Sequence, residues 1–261
     1  MARAMWRATV GLGKVGVPVK LYAAAEDRDV HFRLVHREDL TPVAQRMVDP
    51  ETGDEVASED VKRGLEIERG LFVVLDEDER AALEPKASRA IEVTRFVPRE
   101  AIDLSYYDRP YYLGPDGAID DYFALVEAIA ASGRVGVARW VLRKRRNFGV
   151  LEVRDGHLAL VSLRSSDEVV AAASLPDAGD APVRPAERSL AEQLITALDG
   201  PFDPKELQDD YRDRVLAFIA AKAKGKKPKA VRERMPRKTT GDLASVLKKS
   251  IAAAKKARRA A

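Results

Sequence analysis

The sequence predicts a mainly β protein with helices: a β-barrel core with a projecting strap, a helical C-terminal part and a disordered basic tail. Three features carry that expectation. Short runs of alternating apolar residues recur as far as residue 164, the period-2 signature of strands. Apolar residues at helical spacing take over from residue 185. Beyond residue 222 the composition turns to Lys and Arg with few core-forming residues, as in a solvated tail.

Residues 9–22, TVGLGKVGVPVKLY, hold Gly11, Gly13 and Gly16 at the spacing of a dinucleotide fingerprint. That fingerprint needs a helix to begin at its third glycine. Here an alternating run containing Pro18 follows, so the nucleotide reading is rejected. The glycines are read instead as bulges or close strand approaches in a barrel. His31 to Glu59 holds a short strand, HFRLVH, a polar excursion with the turn Asp49-Pro50-Glu51-Thr52-Gly53, and a second strand-like piece, together read as a strap. Leu71 to Leu75 reads as a buried strand. Asp76 to Glu79 opens a short helix with acids where the helix dipole favours them. Ile91 to Val97 alternates again, and Tyr106, Tyr107, Tyr111 and Tyr112 around Pro110 are read as core and rim packing.

Asp120 to Gly133 is a helix, with Tyr122, Leu125, Val126 and Ile129 on one face and Gly133 as its stop. Three strands follow in Arg134 to Arg164. Val135, Val137 and Val141 alternate with Gly136, Ala138, Trp140 and Leu142; Asn147-Phe148-Gly149 looks like the first turn, and Asp155-Gly156 suits a type I′ hairpin. Residues 174–184 are a Pro/Gly/Asp linker. Helices are expected at Pro185–Leu198 and at Asp203–Lys222, the latter with Asp203 as N-cap and Pro204 at its first position. Lys224 to Lys238 should be disordered. Thr239 to Ala261 regains periodicity, with a narrow stripe of Leu243, Val246, Leu247, Ile251 and Ala254 among lysines.

The net charge of +3 hides a segregation. Residues 222–261 carry fifteen Lys and Arg against Glu233 and Asp242, or +13. Of 45 basic and 42 acidic residues in the chain, that leaves 30 and 40 in residues 1–221, or −10. A basic tail on an acidic body points to an anionic partner, and any nucleic-acid surface on the body must be local. The chain has no cysteine, which excludes disulfides and cysteine-held zinc. His31, His36 and His157 share no metal-ligand spacing, and neither a metal nor another cofactor is expected. MARAMWRATVGLG has no signal-peptide core and nothing downstream is apolar enough to span a bilayer, so a soluble cytoplasmic protein without membrane partners is expected. No nucleophile–base motif, metal cluster or P-loop argues for an enzyme.

Arg134, Arg139, Arg143, Lys144, Arg145, Arg146, Arg154 and Arg164 are set into the apolar strands at 134–164. Strands anchored by Val, Trp and Leu fix where such cations point, which is how a rigid surface presents charge to a polyanion. The competing reading is a solvated basic strand end.

Met5-Trp6 with GLGKVGVPVKLY, then SRAIEVTRFVPREAID, YYDRPYYLGPDG, RVGVARWVLRKRRNFGVLEV and PFDPKELQDDY, resemble in order the bacterial Ku proteins over residues 1–220. The resemblance implies a barrel core over 1–175 with its strap around 31–60, a helical subdomain at 185–222 and a Lys/Arg-rich tail at 223–261. It implies a homodimeric ring threaded by double-stranded DNA ends, acting in non-homologous end joining and recruiting an ATP-dependent ligase of the ligase D type. Carried over by position, Arg139, Arg143, Lys144, Arg145 and Arg146 are the first candidates for phosphate contacts. Lys20, Arg33, Arg37 and Arg46, assigned to the strap-forming part, follow, then Arg134 and Arg164. In the tail, Lys224, Lys226, Lys227, Lys229, Lys248, Lys249, Lys255, Lys256, Arg258 and Arg259 are candidates for DNA or partner contacts. Some members carry Cys-x-x-Cys in the segment matching Arg46–Glu55, where this chain has RMVDPETGDE, so no metal or redox role of those cysteines applies. The alternative function is a nucleoid protein that coats DNA through its basic tail.

Overall fold

Alternating side chains and tight turns fold the first part of the chain into a closed sheet. The computed structural model describes residues 3–175, 184–226 and 243–258. By internal contacts the chain divides into two units, one of residues 1–28 and 33–174, the other of residues 29–32 and 175–261.

In the first unit, β1 (Trp6–Leu12) and β2 (Val15–Ala23) form a hairpin around Gly13-Lys14, so the GxGxxG spacing is strand–turn–strand as expected. After the strap come β3 (Gly64–Glu68), β4 (Leu71–Val74) and the short helix α1 (Glu77–Leu83). Asp76 and Glu79 complete a capping box at the start of α1. Next are β5 (Ala90–Pro98), β6 (Tyr107–Pro115), α2 (Ile119–Ser132), β7 (Arg134–Leu142), β8 (Arg145–Arg154) and β9 (His157–Leu163). Seven strands close in the order β1-β2-β6-β9-β8-β7-β5, and a parallel β1–β5 pairing seals the barrel.

Inward positions fill the barrel. Val10, Val19, Leu21, Ile91, Leu113, Leu151, Leu158 and Leu160 are fully buried, and α2 adds Tyr122, Val126 and Ile129 to the same core. Leu113 and Leu158 face each other across β6 and β9. The Tyr122 hydroxyl donates to the Leu113 carbonyl at 2.5 Å and accepts from the Leu158 N–H at 3.0 Å. Burial pushes the Tyr122 phenol pKa up, against the opposing effect of the Leu158 N–H. Outward, Val135, Val150 and Val161 form a second cluster with Val97, Ile102 and Tyr107. The carboxylate of Glu152, nearly buried, is answered by Arg154 at 2.5 Å and Arg99 at 3.7 Å.

Several expectations are corrected. Asn147-Phe148-Gly149 is not a turn but part of β8. Gly149 is there because Trp140 lies over it: a Cβ would stand 2.4 Å from the Val161 carbonyl oxygen and 2.7 Å from the indole. The turn falls at Arg143-Lys144, between the paired Leu142 and Arg145, with φ of +52° and +64°. Left-handed backbone costs an L-residue roughly 1–2 kcal/mol each. The other two-residue hairpins of the barrel carry glycine at such a position, Gly13 in one and Asp155-Gly156 in the other, the latter as expected.

HFRLVH is not a strand; the strap is irregular, held by isolated bridges between Val35 and Pro42 and between Val48 and Glu55. Leu71 to Leu75 is not buried. Among the described residues the β3–β4 hairpin pairs only with itself, and Leu71, Phe72, Val73 and Val74 stay exposed because none of those residues forms a layer over either face.

In the second unit, α3 (Pro185–Leu198) starts and ends as expected. The next helix begins later than expected: Asp203 caps a single 3₁₀ turn over Pro204–Glu206, and Asp209 caps α4 (Asp210–Ala223). The terminal helix α5 (Leu243–Arg258) packs on α3, with Ile251 buried and Val246 and Leu247 half-buried. Residues 176–183 of the expected linker, 227–238 of the expected disordered stretch, and 239–242 and 259–261 of the expected terminal helix lie outside the described residues.

Tyr122→Phe removes the hydroxyl that serves two backbone groups and leaves both unpaired in the core. Urea unfolding should show a loss of about 1–3 kcal/mol, the range for a buried polar group stripped of its partner.

Candidate nucleic-acid interface

The basic stretch at 134–164 is distributed by the β7–β8 hairpin. The last pairing of β7 with β5 is at Trp140, and the last pairing of β8 with β9 is at Phe148. Val141 and Leu142 therefore pair with Arg146 and Arg145 in a two-stranded overhang beyond both neighbouring strands. Arg143, Arg145 and Arg146 are exposed on this overhang and carry no ion pair among the described residues.

The remaining first candidates are partnered. Arg139 faces Glu92 across β7 and β5 and donates to it twice, at 2.8 and 3.1 Å. The Arg139 guanidinium holds the Glu92 carboxyl below its usual range, and Glu92 in turn raises Arg139. Lys144 reaches Glu84, at the end of α1, at 2.9 Å.

The overhang stands between two clefts at this end of the barrel. One, of about 1140 Å³, is lined by Arg143, Arg145 and Arg146 together with Arg109, Arg164 and Asp108. The other, of about 690 Å³, brings Lys86 and Arg89 beside Arg143 and Lys144. Arg109, Lys86 and Arg89 were missed by the sequence reading. Arg109 sits where the β6–β9 register shifts between Tyr107 and Pro110, and a proline inside a strand is the sequence signal for such a bulge. For Lys86 and Arg89 no local pattern marked the approach.

Arg164 lies at the same barrel end but acts as a cap. Its guanidinium donates to the Ser105 and Tyr107 carbonyls and lies 3.7 Å from Asp108. Arg134 starts β7, roughly 27 Å of strand away from the turn, so it does not join this patch. Lys20 is not in the strap: it lies in β2 and bonds Asp116 at 2.8 Å, with Arg7 at 3.7 Å. Lys20, and Arg7 behind it, hold the Asp116 carboxyl below its usual range. In the strap Arg46 pairs with Glu55 at 2.5 Å, while Arg33 and Arg37 are exposed without an ion pair among the described residues.

Of the tail candidates, Lys224 and Lys226 follow α4 and are exposed, as are Lys248 and Lys249 on α5. Lys255, Lys256 and Arg258 belong to the last turns of α5; Lys227, Lys229 and Arg259 lie outside the described residues. Among the described residues no group of three or more His, Asp or Glu could hold a metal ion, and no helix is long and apolar enough to cross a membrane.

Comparison with known proteins matches residues 11–192 to the Ku family model, described as the Ku70/Ku80 beta-barrel domain. The chain is 38% identical to the non-homologous end joining protein Ku of Symbiobacterium thermophilum and 39% to that of Frankia casuarinae, over 99% and 98% of its length. It spans 65% of the length of each of these two. Against the Ku protein of Anaeromyxobacter sp. the identity is 35%, covering 98% of this chain and 87% of that one. A closed barrel over the matched residues and identity along nearly the whole chain lead to one conclusion: the chain belongs to the Ku family of non-homologous end joining proteins.

Proposed function

We propose that this protein binds the ends of double-stranded DNA without regard to sequence, as a homodimeric ring through which the end is threaded, in non-homologous end joining. The observation that carries the reading is the basic overhang, where three arginines without an ion pair among the described residues sit together on a body whose net charge is negative. Arginines on a sheet edge suit phosphates, which offer the same contacts whatever the base sequence. A ring that slides along DNA needs that kind of contact. Its acidic exterior and basic bore then keep the duplex on one path.

The first test is competition for a labelled linear duplex at fixed salt by unlabelled linear plasmid or the same plasmid covalently closed. The linear form should compete and the closed form should not. Equal competition overturns threading and leaves DNA coating through the basic tail as the function. Deleting residues 223–261 should weaken binding without abolishing it.

Homodimerisation is supported by the uncovered apolar residues of the β3–β4 hairpin. A lone two-stranded hairpin is marginal in water, and Phe72 is 57% exposed in the protomer. Phe72→Asp should convert the dimer to monomer in light scattering and lose end-dependent binding. Recruitment of an ATP-dependent ligase of the ligase D type is assigned to the helical part at 185–222, where Ile195, Leu198, Phe202 and Leu207 are exposed. Phe202→Asp should leave DNA affinity intact and remove stimulation of the ligase in a nick-joining assay.

A further inference from the structure

The β7–β8 turn departs from the rest of the barrel in a way that geometry alone does not require. At the left-handed positions of its other two-residue barrel hairpins the chain places Gly13 in one and Asp155 with Gly156 in the other, yet here it places Arg143 and Lys144. Both cations sit at the tip of an overhang that neither β5 nor β9 supports. Their surroundings differ. The Lys144 ammonium lies 2.9 and 3.1 Å from the two carboxylate oxygens of Glu84, sixty residues earlier in the chain. Glu84 is itself fixed, since its backbone N–H closes α1 on the Arg80 and Ala81 carbonyls and its side chain is only 25% exposed. Arg143, on the same turn, has no ion pair among the described residues.

We infer that the two turn residues have separate tasks: Lys144 is a positioning residue that ties the overhang to Glu84, and Arg143 is the phosphate ligand that the tied tip presents. The inference rests on the duplex-binding reading and deepens it. An ammonium already neutralised by a carboxylate contributes little counterion release when DNA arrives, whereas a free guanidinium contributes fully. A two-stranded ribbon is marginal without support, so an unheld tip would sample many orientations and present Arg143 in few of them. Arg145 and Arg146, on the same ribbon, depend on the same tie.

The experiment measures affinity for a blunt duplex against salt concentration, with melting temperature alongside, for the full chain and for Glu84→Gln, Lys144→Met and Arg143→Met. Electrostatics alone would have Glu84→Gln bind more tightly, since it removes a negative charge beside the DNA. Positioning requires the opposite: Glu84→Gln and Lys144→Met both weaken binding and are not additive, and Lys144→Met leaves the salt slope unchanged. Arg143→Met lowers the log–log slope by about 0.9, roughly a tenfold loss near 0.1 M salt. The exchanged pair Glu84→Lys with Lys144→Glu should recover affinity. Equal or tighter binding by Glu84→Gln, or a slope loss in Lys144→Met matching that of Arg143→Met, overturns the inference. If the unaltered chain fails to bind duplex, the functional reading has failed first. The turn has a test that needs no DNA: Arg143→Asn with Lys144→Gly should raise the melting temperature, and a fall would show that these cations stabilise the turn.

Discussion

The short parallel pairing of β1 with β5 is the constraint on which the rest of the barrel depends. It joins Thr9, Val10 and Gly11 to Ala90, Ile91 and Glu92 and so removes both edges of a seven-strand sheet. Once the sheet is closed, every strand has one face toward a finite interior. Val10 and Ile91, paired across the seam, are both fully buried. The next residue of β5, Glu92, must then face outward, where Arg139 of β7 meets it. Because strand register has period two, a slip of one residue at the seam would exchange core and surface around the barrel. The helix α2 makes that register harder to lose, since Tyr122 bonds to backbone groups on both β6 and β9.

Closure also explains which cations remain free. Alongside paired strands a cation has an acidic neighbour within reach, as the Arg139 guanidinium has Glu92 and the Lys20 ammonium has Asp116. Past the ends of β5 and β9 the overhang has no flanking strand to supply one. Among the described residues Arg145 and Arg146 are left without an ion pair for a topological reason, and the repulsion among three neighbouring guanidiniums is tolerated because the tip is solvated. An exposed pair such as Arg139 with Glu92 contributes little to stability. The pattern of paired and unpaired charge therefore bears more on what the surface attracts than on how the fold is held.

Much of this was legible in the sequence, and the failures have physical causes. Alternation marked the barrel strands, Gly133 the end of α2, and Asp155-Gly156 the β8–β9 turn, because each signal is local and chemically specific. The β7–β8 turn was misplaced at Asn147–Gly149 because that tripeptide has turn chemistry while Arg143-Lys144 has none. The reason for Gly149 is the Trp140 ring above it, a contact between strands that no single run reveals. Leu71 to Leu75 was read as buried because apolar residues announce that they will be covered without saying by what. The partners Glu84 and Glu92 lie 60 and 47 residues from the cations they hold, so the division of the basic stretch into tied and free members was invisible.

A sequence that specifies a fold usually agrees with itself at every level, from turn chemistry to core packing. Among the hairpin turns of this barrel the disagreement is concentrated at one, where Arg143 and Lys144 both take positive φ and neither is Gly, Asn or Asp. Glycine at Lys144 would relax the backbone there, as Gly156 does in the neighbouring hairpin. It would also remove the tie to Glu84 and one of four cations within two turn residues and the two that follow. A turn serving only to reverse the chain has no reason to keep Arg and Lys at positive φ. Strain at that position makes sense when the side chains are worth more than the relaxed backbone, and the nearest task for them is the surface on which the overhang stands.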